Sequence, residues 1–234
     1  MELSGKSQCF PLYYYEKKQI QQGTLFDDKD EYIRRDGITD FILDRCRDNY
    51  GPKVTKEDIF YYAYGLLHSP DYRTQFAADL KKMLPRLPLI EKPDNFWTFS
   101  KAGRSLADLH LNYEEQPPCP LVTVTGAEAG KFTVDKMRFL DKADKSVIQY
   151  NAHIKLTGIP LEAHDYVVNG RSAIEWIMER YQVKTDKDSG IKNDPNDWAA
   201  EHDKPRYILD LLLSIVTVSL ETMKVVKGLP GLKF

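Results

Sequence analysis

Cysteine is scarce in this chain of 234 residues, which contains only Cys9, Cys46 and Cys119. The three lie far apart in the sequence, which excludes a disulfide framework and a cysteine-rich zinc site. Unpaired cysteines suit a reducing compartment, so the sequence predicts a cytoplasmic location. Long apolar runs are also missing, since no segment approaches the roughly 18 apolar residues of a membrane span and the first residues carry no apolar secretion signal. We therefore expect no membrane association.

Charge of one sign is not in excess. The 33 basic and 35 acidic residues give a net charge of −2 at pH 7. This balance excludes a strongly basic nucleic-acid clamp as a description of the whole chain, although it allows a local basic surface. Apolar residues make up 42% of the chain and charged residues 29%, a mixture typical of a folded domain with a hydrophobic core.

Catalytic motifs are absent from the sequence as well. There is no Gly-x-Ser-x-Gly turn of the hydrolase type, and none of the five histidines has a second ligand at a spacing typical of metal sites. Residues 4–7 (SGKS) resemble the end of a phosphate-binding loop but lack its first glycine. Residues 186–190 (DKDSG) resemble a calcium loop, but Ile191 stands where that loop needs glycine. The sequence therefore predicts no catalytic residue and no metal site.

Hydrophobic periodicity predicts an α+β fold that is mainly helical. Residues 55–68 carry an apolar stripe at helical spacing behind a capping box of Thr55 and Asp58. A proline-rich linker at 116–120 follows the helical part, and beyond it the pattern changes to short strands. The predicted strands are 121–125, 131–135, 137–140, 146–150 and 153–157. The chain then returns to helical spacing and ends in a long apolar helix over about 205–227.

These patterns predict three parts. Residues 1–116 form a helical N-terminal part, residues 117–160 form a small strand-rich insert, and residues 161–234 form a helical C-terminal part. The long terminal helix is too apolar to stand alone in water, so we expect it to pack back on the first part. The result would be one α+β unit with a small strand-rich subdomain in the middle.

Local charge indicates where a binding surface would lie. Residues 131–145 carry five basic and three acidic side chains, and residues 180–192 carry four basic and two acidic ones. Such runs are usually solvated surface, but a DNA reader needs cations for phosphates and Asn, Gln, Arg or Lys side chains for base edges. The polar loop 182–196 and the strand-rich insert supply both kinds. The candidate DNA-binding residues are Gln182, Lys184, Lys187, Lys192, Asn193, Asn196, Lys136 and Arg138.

Several stretches of the sequence resemble the C-terminal specificity region of type ISP restriction–modification enzymes. These are large single-chain proteins that are often labelled DEAD/DEAH-box helicases or type I restriction enzyme R proteins. The resemblance spans nearly the whole chain. Its stretches are 10–16 (FPLYYYE), 57–73 (EDIFYYAYGLLHSPDYR), 79–89 (DLKKMLPRLPL), 96–114 (FWTFSKAGRSLADLHLNYE), 165–198 (DYVVNGRSAIEWIMERYQVKTDKDSGIKNDPNDW) and 205–230 (PRYILDLLLSIVTVSLETMKVVKGLP).

The resemblance implies a target-recognition module for double-stranded DNA. In that family a nuclease, an ATP-driven DNA translocase and an adenine methyltransferase precede this region, which recognises an asymmetric site for methylation or for the start of translocation. The region would also contact the methyltransferase and helicase modules of the same polypeptide. The parent enzyme would use ATP, Mg²⁺ and S-adenosylmethionine, and we expect this region to bind no cofactor.

A second class of function also fits the sequence. The long apolar C-terminal helix and the 14 tyrosines suit a structural module that couples the methyltransferase and helicase parts through protein contacts. Substitution of Lys184, Lys187 and Lys192 separates the two functions. A DNA reader would lose affinity and show a flatter salt dependence, whereas a coupling module would keep its DNA binding and assemble less well with the other modules.

Overall fold

The computed structural model describes residues 9–18 and 31–233. By their internal contacts, the residues divide into two compact units, Met1–Arg104 with Leu229–Phe234, and Ser105–Gly228. Both units combine helices with short antiparallel strands, so the α+β class predicted from the sequence is confirmed. None of the helices in these described ranges is long and apolar enough to cross a membrane.

The first unit contains an antiparallel hairpin followed by helices. Strand β1 (Tyr13–Lys17) pairs with β2 (Tyr32–Asp36), with Tyr13 opposite Asp36. Most of the side chains on these two strands are exposed. The helices are α1 (Asp40–Tyr50), α2 (Lys56–Leu67), α3 (Pro70–Gln75) and α4 (Pro93–Leu111), whose last residues belong to the second unit.

Side-chain caps start α2 and α3 where the sequence places them. The Thr55 side chain accepts a hydrogen bond from the backbone N–H of Asp58, while the Asp58 carboxylate accepts one from the backbone N–H of Thr55. This reciprocal pair is the predicted capping box. At α3 the Ser69 hydroxyl accepts a hydrogen bond from the backbone N–H of Tyr72. Pro70 follows at the first helical position, where the missing proline N–H is not needed.

Helices α2 and α4 meet at two glycines. A Cβ atom added to Gly65 would collide with the carbonyl oxygen of Phe99, and one added to Gly103 would collide with the carbonyl oxygen of Tyr61. The backbones therefore approach each other closely because neither crossing point carries a side chain. Tyr62 and Phe99 are almost completely buried beside this crossing, in the core of the first unit.

The second unit is built on a four-stranded antiparallel sheet. Its strands are β3 (Thr123–Thr125), β4 (Arg138–Phe139), β5 (Ile148–Gln149) and β6 (Lys155–Thr157), in the spatial order β3-β6-β5-β4. Ile148 lies opposite Leu156, and both side chains are fully buried. Successive residues of a strand point to opposite faces, so Arg138, Gln149 and Lys155 lie on the other face.

Two small hairpins and three helices complete the second unit. The hairpins pair β7 (Val167–Val168) with β8 (Arg171–Ser172), and β9 (Lys184–Thr185) with β10 (Lys192–Asn193). The helices are α5 (Ala173–Arg180), α6 (Pro195–Glu201) and α7 (Tyr207–Lys227).

The long C-terminal helix α7 is covered within the second unit. Its buried side chains share one core with the sheet and with α5. It packs back on the end of the predicted first part, where the Ser214 hydroxyl donates to the carbonyl oxygen of Gln116 at 2.7 Å and His110 lies 3.1 Å from the Thr222 hydroxyl. By their contacts, residues on both sides of the predicted boundaries at 117 and 161 therefore belong to this one unit.

The predicted strand at 131–135 does not form. These residues pair with no strand in the part of the chain that the structure describes. The pattern that suggested a strand is real, since Val134 is buried while Thr133 and Asp135 are exposed. Side chains from elsewhere in the sequence take the place of a neighbouring strand, as described below.

Candidate nucleic-acid interface

An open groove of about 1420 Å³ lies in the second unit. One wall is the segment 130–136, and another includes the end of the β9–β10 hairpin and the start of α6. The groove brings together four of the eight candidate residues, Lys136, Arg138, Lys192 and Asn196. The other candidates, Gln182, Lys184, Lys187 and Asn193, lie in the same unit but are not among the described residues that line the groove.

The segment 131–135, here called the pinned segment, is held by its backbone carbonyl groups. The Asn151 amide donates to the carbonyl oxygens of residues 131 and 133, at 2.8 and 3.0 Å. The Tyr150 hydroxyl donates to the carbonyl oxygen of residue 132 at 2.9 Å, and the Asn196 amide donates to the carbonyl oxygen of residue 134 at 2.7 Å. The backbone N–H of Val183 donates to the carbonyl oxygen of residue 135 at 2.9 Å. Five consecutive carbonyl groups are therefore satisfied without a strand partner.

Asn151 is the side chain on which this arrangement most depends. Its amide group donates to the pinned segment, while its carbonyl oxygen accepts from the backbone N–H groups of His153 and Ile154 at 2.9 and 2.8 Å. All of its strong hydrogen-bonding capacity is thus used to join the β5–β6 turn to the wall of the groove.

We expect the substitution Asn151→Ala to loosen the pinned segment. Losing these hydrogen bonds should destabilise the second unit by about 1–3 kcal/mol, because backbone groups are left without partners. Hydrogen exchange of the Val183 amide, which is bonded to the pinned segment, should become faster. The exposed Asn112, whose amide donates only to Asp108, supplies the control Asn112→Ala, with an expected change within about 0.5 kcal/mol. Unchanged exchange at Val183 in the Asn151 variant would contradict this role.

Three cations on and beside the pinned segment are available to a ligand. Lys131, Lys136 and Arg138 all line the groove and all have exposed side chains. Within the described ranges, none of the three forms an ion pair. Their exposed, unpaired charges are of the kind that can contact an anion such as a phosphate group, and the pinned segment that carries or adjoins them is held by hydrogen bonds.

Two of the three lysines in the β9–β10 hairpin, unlike the three cations above, form ion pairs. The Lys192 ammonium lies 2.8 Å from the Asp194 carboxylate, which raises the pKa of Lys192 and neutralises much of its charge. The Lys184 ammonium lies 3.6 Å from Glu179. Lys187, by contrast, is exposed at the tip of the hairpin. The tip is closed by Asp186, whose carboxylate accepts from the backbone N–H and the hydroxyl of Ser189, and these bonds hold the pKa of Asp186 below its usual range.

The three amide side chains among the candidates also differ from one another. The Asn196 amide is bonded on both sides to the backbone of Val134, so it positions the pinned segment. Gln182 donates to the carbonyl oxygen of Glu179 at 2.9 Å. For Asn193, on strand β10, the described residues supply no side-chain hydrogen bond. The sequence thus identifies polar side chains correctly but does not reveal which of them are already occupied.

Two groove residues were missed as candidates. Lys131 belongs to the basic stretch 131–145, and this local charge was the signal that could have identified it as a candidate. Gln149 lies on β5 directly opposite Arg138 on β4, and only the strand register reveals that the two are neighbours. Across residues 9–18 and 31–233, no group of three His, Cys, Asp or Glu side chains is arranged to hold a metal ion.

A groove with unpaired cations and polar side chains on a fixed backbone is typical of nucleic-acid-binding modules. The chain belongs to the family of Type ISP C-terminal specificity domains, whose model matches residues 1–211. This confirms the resemblance found in the sequence. No curated protein matches the chain.

Solved structures of Type ISP enzymes are similar to this chain. The ATP-dependent Type ISP restriction-modification enzyme LlaBIII bound to DNA has a TM-score of 0.82 and 40% identity, over 95% of this chain and 14% of that one. A nuclease-deletion mutant of the Type ISP enzyme LlaGI, in complex with a DNA substrate mimic, has a TM-score of 0.71 and 45% identity, over 85% of this chain and 17% of that one.

A third similar structure is a DrdV–DNA complex, with a TM-score of 0.71 and 30% identity over 86% of this chain and 20% of that one. This chain thus spans between about one seventh and one fifth of the length of these relatives. It corresponds to one domain of much larger proteins.

Proposed function

We propose that this chain recognises a target sequence in double-stranded DNA as the specificity domain of a restriction–modification enzyme. The observation that carries the proposal is the family membership, supported by similarity to three structures of complexes with DNA or a DNA substrate mimic. We infer that the groove is where DNA binds, because it collects unpaired cations and polar side chains beside a hydrogen-bonded segment. No bond-making or bond-breaking step is assigned to this chain.

In the proposed mechanism, cations fix the register on the phosphates and side chains in the groove contact base edges. Lys131 and Lys136 suit phosphates because both side chains are exposed at the groove, in or next to a segment whose backbone carbonyl groups are hydrogen-bonded. Lys187 at the hairpin tip would add a further phosphate contact. With a net charge of −2, the domain has little long-range attraction for DNA. Other parts of the longer enzyme would then supply most of the sequence-independent affinity.

One observation supports the alternative function, which is structural coupling between methyltransferase and helicase parts. The apolar face of α7 is buried in the core of its own unit, so it is not available to a partner. Exposed aromatic residues remain on the β1–β2 hairpin, where Tyr15 is 65% exposed and Tyr32 is 52% exposed. The two roles are compatible, because the groove and this hairpin belong to different units of the chain.

Replacing Lys131 in the pinned segment and Lys136 directly after it tests the DNA-binding function. For the double variant Lys131→Ala/Lys136→Ala we expect weaker binding of every duplex, specific or not, measured by fluorescence anisotropy over a range of salt concentrations. If each lysine contacts one phosphate, the slope of log K against log salt should become shallower by about 0.9 for each lysine removed.

The matched control is Lys224→Ala. Lys224 is exposed, lies near the end of α7 in the same unit, and pairs with Glu221 rather than facing the groove. Its removal changes the net charge by one but should leave the salt slope unchanged. An unchanged slope in the double lysine variant would contradict the proposed interface, and impaired assembly with unchanged DNA binding would favour the coupling function.

The location and cofactors of the enzyme follow from the same proposal. We place the domain in the cytoplasm, and the buried free thiols of Cys46 and Cys119 suit its reducing conditions. ATP, Mg²⁺ and S-adenosylmethionine, implied for the parent enzyme by the resemblance, are proposed to act in other domains. The described residues offer no carboxylate cluster that fits Mg²⁺.

A further inference from the structure

The polar face of the four-stranded sheet presents a row of side chains toward one side of the second unit. Arg138 on β4 lies directly opposite Gln149 on β5, and Gln149 lies opposite Lys155 on β6. Side chains of directly opposed residues in an antiparallel pair share one face, with Cβ atoms about 4.5–5.5 Å apart. Of this row, Arg138 and Gln149 also line the groove. They are therefore neighbouring side chains on one rigid surface.

The side chain of Gln149 is held so that its amide oxygen is left to accept a hydrogen bond. Its Nε2 group donates to the backbone carbonyl oxygens of Asn151 and Ile154, at 2.7 and 3.1 Å. Two carbonyl oxygens at the same end of an amide fix that end as the NH₂ group, because an oxygen there would repel both. The Oε1 oxygen accepts no hydrogen bond from the residues that the structure describes. Gln149 is thus oriented as an acceptor.

Arg138, beside Gln149, can only donate hydrogen bonds. Its guanidinium is exposed, and in the described part of the chain it has no ion pair, hydrogen bond or aromatic partner. A guanidinium donates through a planar fork and accepts nothing. The pair therefore combines a donor fork with a single fixed acceptor.

That combination matches one base pair in the major groove. Guanine presents two acceptors there, N7 and O6, and its partner cytosine presents one donor, the N4 amino group. An A·T pair presents the adenine amino donor between acceptors and the thymine methyl group, which leaves no place for a bidentate arginine. We propose that Arg138 and Gln149 together read one G·C pair of the target, with Arg138 bonded to guanine O6 and N7 and Gln149 Oε1 accepting from the cytosine amino group.

This inference rests on the proposed function and names the base pair that the groove would recognise. It distinguishes Arg138 from Lys131 and Lys136, which are assigned to phosphates. A phosphate contact weakens all sequences equally, whereas a base contact weakens the preferred sequence and leaves the others nearly unchanged.

The test is selection from a random duplex library at low salt, with the full 234-residue chain and its variants. We expect the unmodified chain to enrich one sequence motif. A G·C pair at one position should be preferred over the other pairs by roughly 10- to 100-fold in competition binding. For Arg138→Ala, that preference should fall to about 1, while the other positions of the motif keep theirs. Gln149→Ala should reduce the preference at the same position.

Arg138→Lys separates base reading from charge. Lysine keeps the charge but cannot form the fork, so this variant should keep the salt slope and lose most of the preference. The inference is overturned if Arg138→Ala and Arg138→Lys leave the motif unchanged. It is also overturned if Arg138→Ala weakens all duplexes alike with a shallower salt slope, which would make Arg138 a phosphate contact. If the unmodified chain enriches no motif, the proposed function itself fails.

Discussion

The substitution Gly103→Ala is expected to destabilise the first unit by about 3 kcal/mol, the upper end of the usual range for overpacking. Helix propensity alone predicts the opposite sign, because alanine in a helix interior is favoured over glycine by about 1 kcal/mol. The crossing decides the outcome, since the added methyl group would collide with the carbonyl oxygen of Tyr61 and lie close to the backbone of Gly65. Neither atom is the end of a flexible side chain, so whole helices would have to move apart.

Hydrogen exchange of the α2 amides measures this effect where it arises. A single unfolding free energy is not well defined for a chain of two units, so local protection is the better observable. In Gly103→Ala the α2 amides should lose protection, while those of α7 in the second unit keep theirs. Gly228→Ala is the control, because Gly228 has an ordinary negative φ and a Cβ there would make only ordinary contacts, the nearest at 3.4 Å. Increased α2 protection in Gly103→Ala would contradict the close crossing.

Local signals in the sequence predict much of this fold because they act between residues that are close in the chain. The start of α2 follows from Thr55 and Asp58, three residues apart, and the structure confirms the capping box. The length of α7 follows from a continuous apolar pattern that ends at Gly228. Strand β2 carries no such signal, because its side chains are exposed and its partner β1 precedes it by more than a dozen residues.

The pinned segment shows why alternation alone is insufficient. Phe132 and Val134 alternate with polar residues, which is the pattern of a strand, but the described residues supply no strand that pairs with this segment. Its hydrogen-bond partners are the side chains of Asn151 and Asn196, which follow it by about 20 and 60 residues. Nothing local in the sequence distinguishes these contacts from the backbone ladder of a sheet.

The candidate interface was predicted only in part, for a related reason. Lys136 and Arg138 were identified from local charge, and the structure places both at the groove. Lys192 was identified in the same way, but the structure pairs its ammonium group with the carboxylate of Asp194, two residues away. Gln149 could not be found, since its importance depends on the register between β4 and β5. Whether the candidate residues contact DNA stays a prediction.

Transplanting this domain into a related enzyme is expected to transfer target specificity completely. In a Type ISP enzyme such as LlaBIII, the region corresponding to this chain would be replaced by residues 1–234. If specificity resides in the groove of the second unit, the graft brings every base-reading side chain with it. The restriction and modification activities of the recipient would then act at the target of this chain.

A second graft that carries Arg138→Ala refines the experiment. It should methylate an expanded set of sites that differ from those of the first graft at one base pair only. Restoring the recipient's own region provides the control for damage caused by the exchange, and should return the original methylation pattern.

Mapping the methylated positions in the genome of the host that expresses the first graft is the most direct measurement. We predict that the recipient's original motif disappears from the methylated set and that a single new motif replaces it, with a G·C pair whose recognition requires Arg138. Methylation that continues at the recipient's original motif would show that the sequence is read elsewhere, and would contradict the assignment of target recognition to this domain.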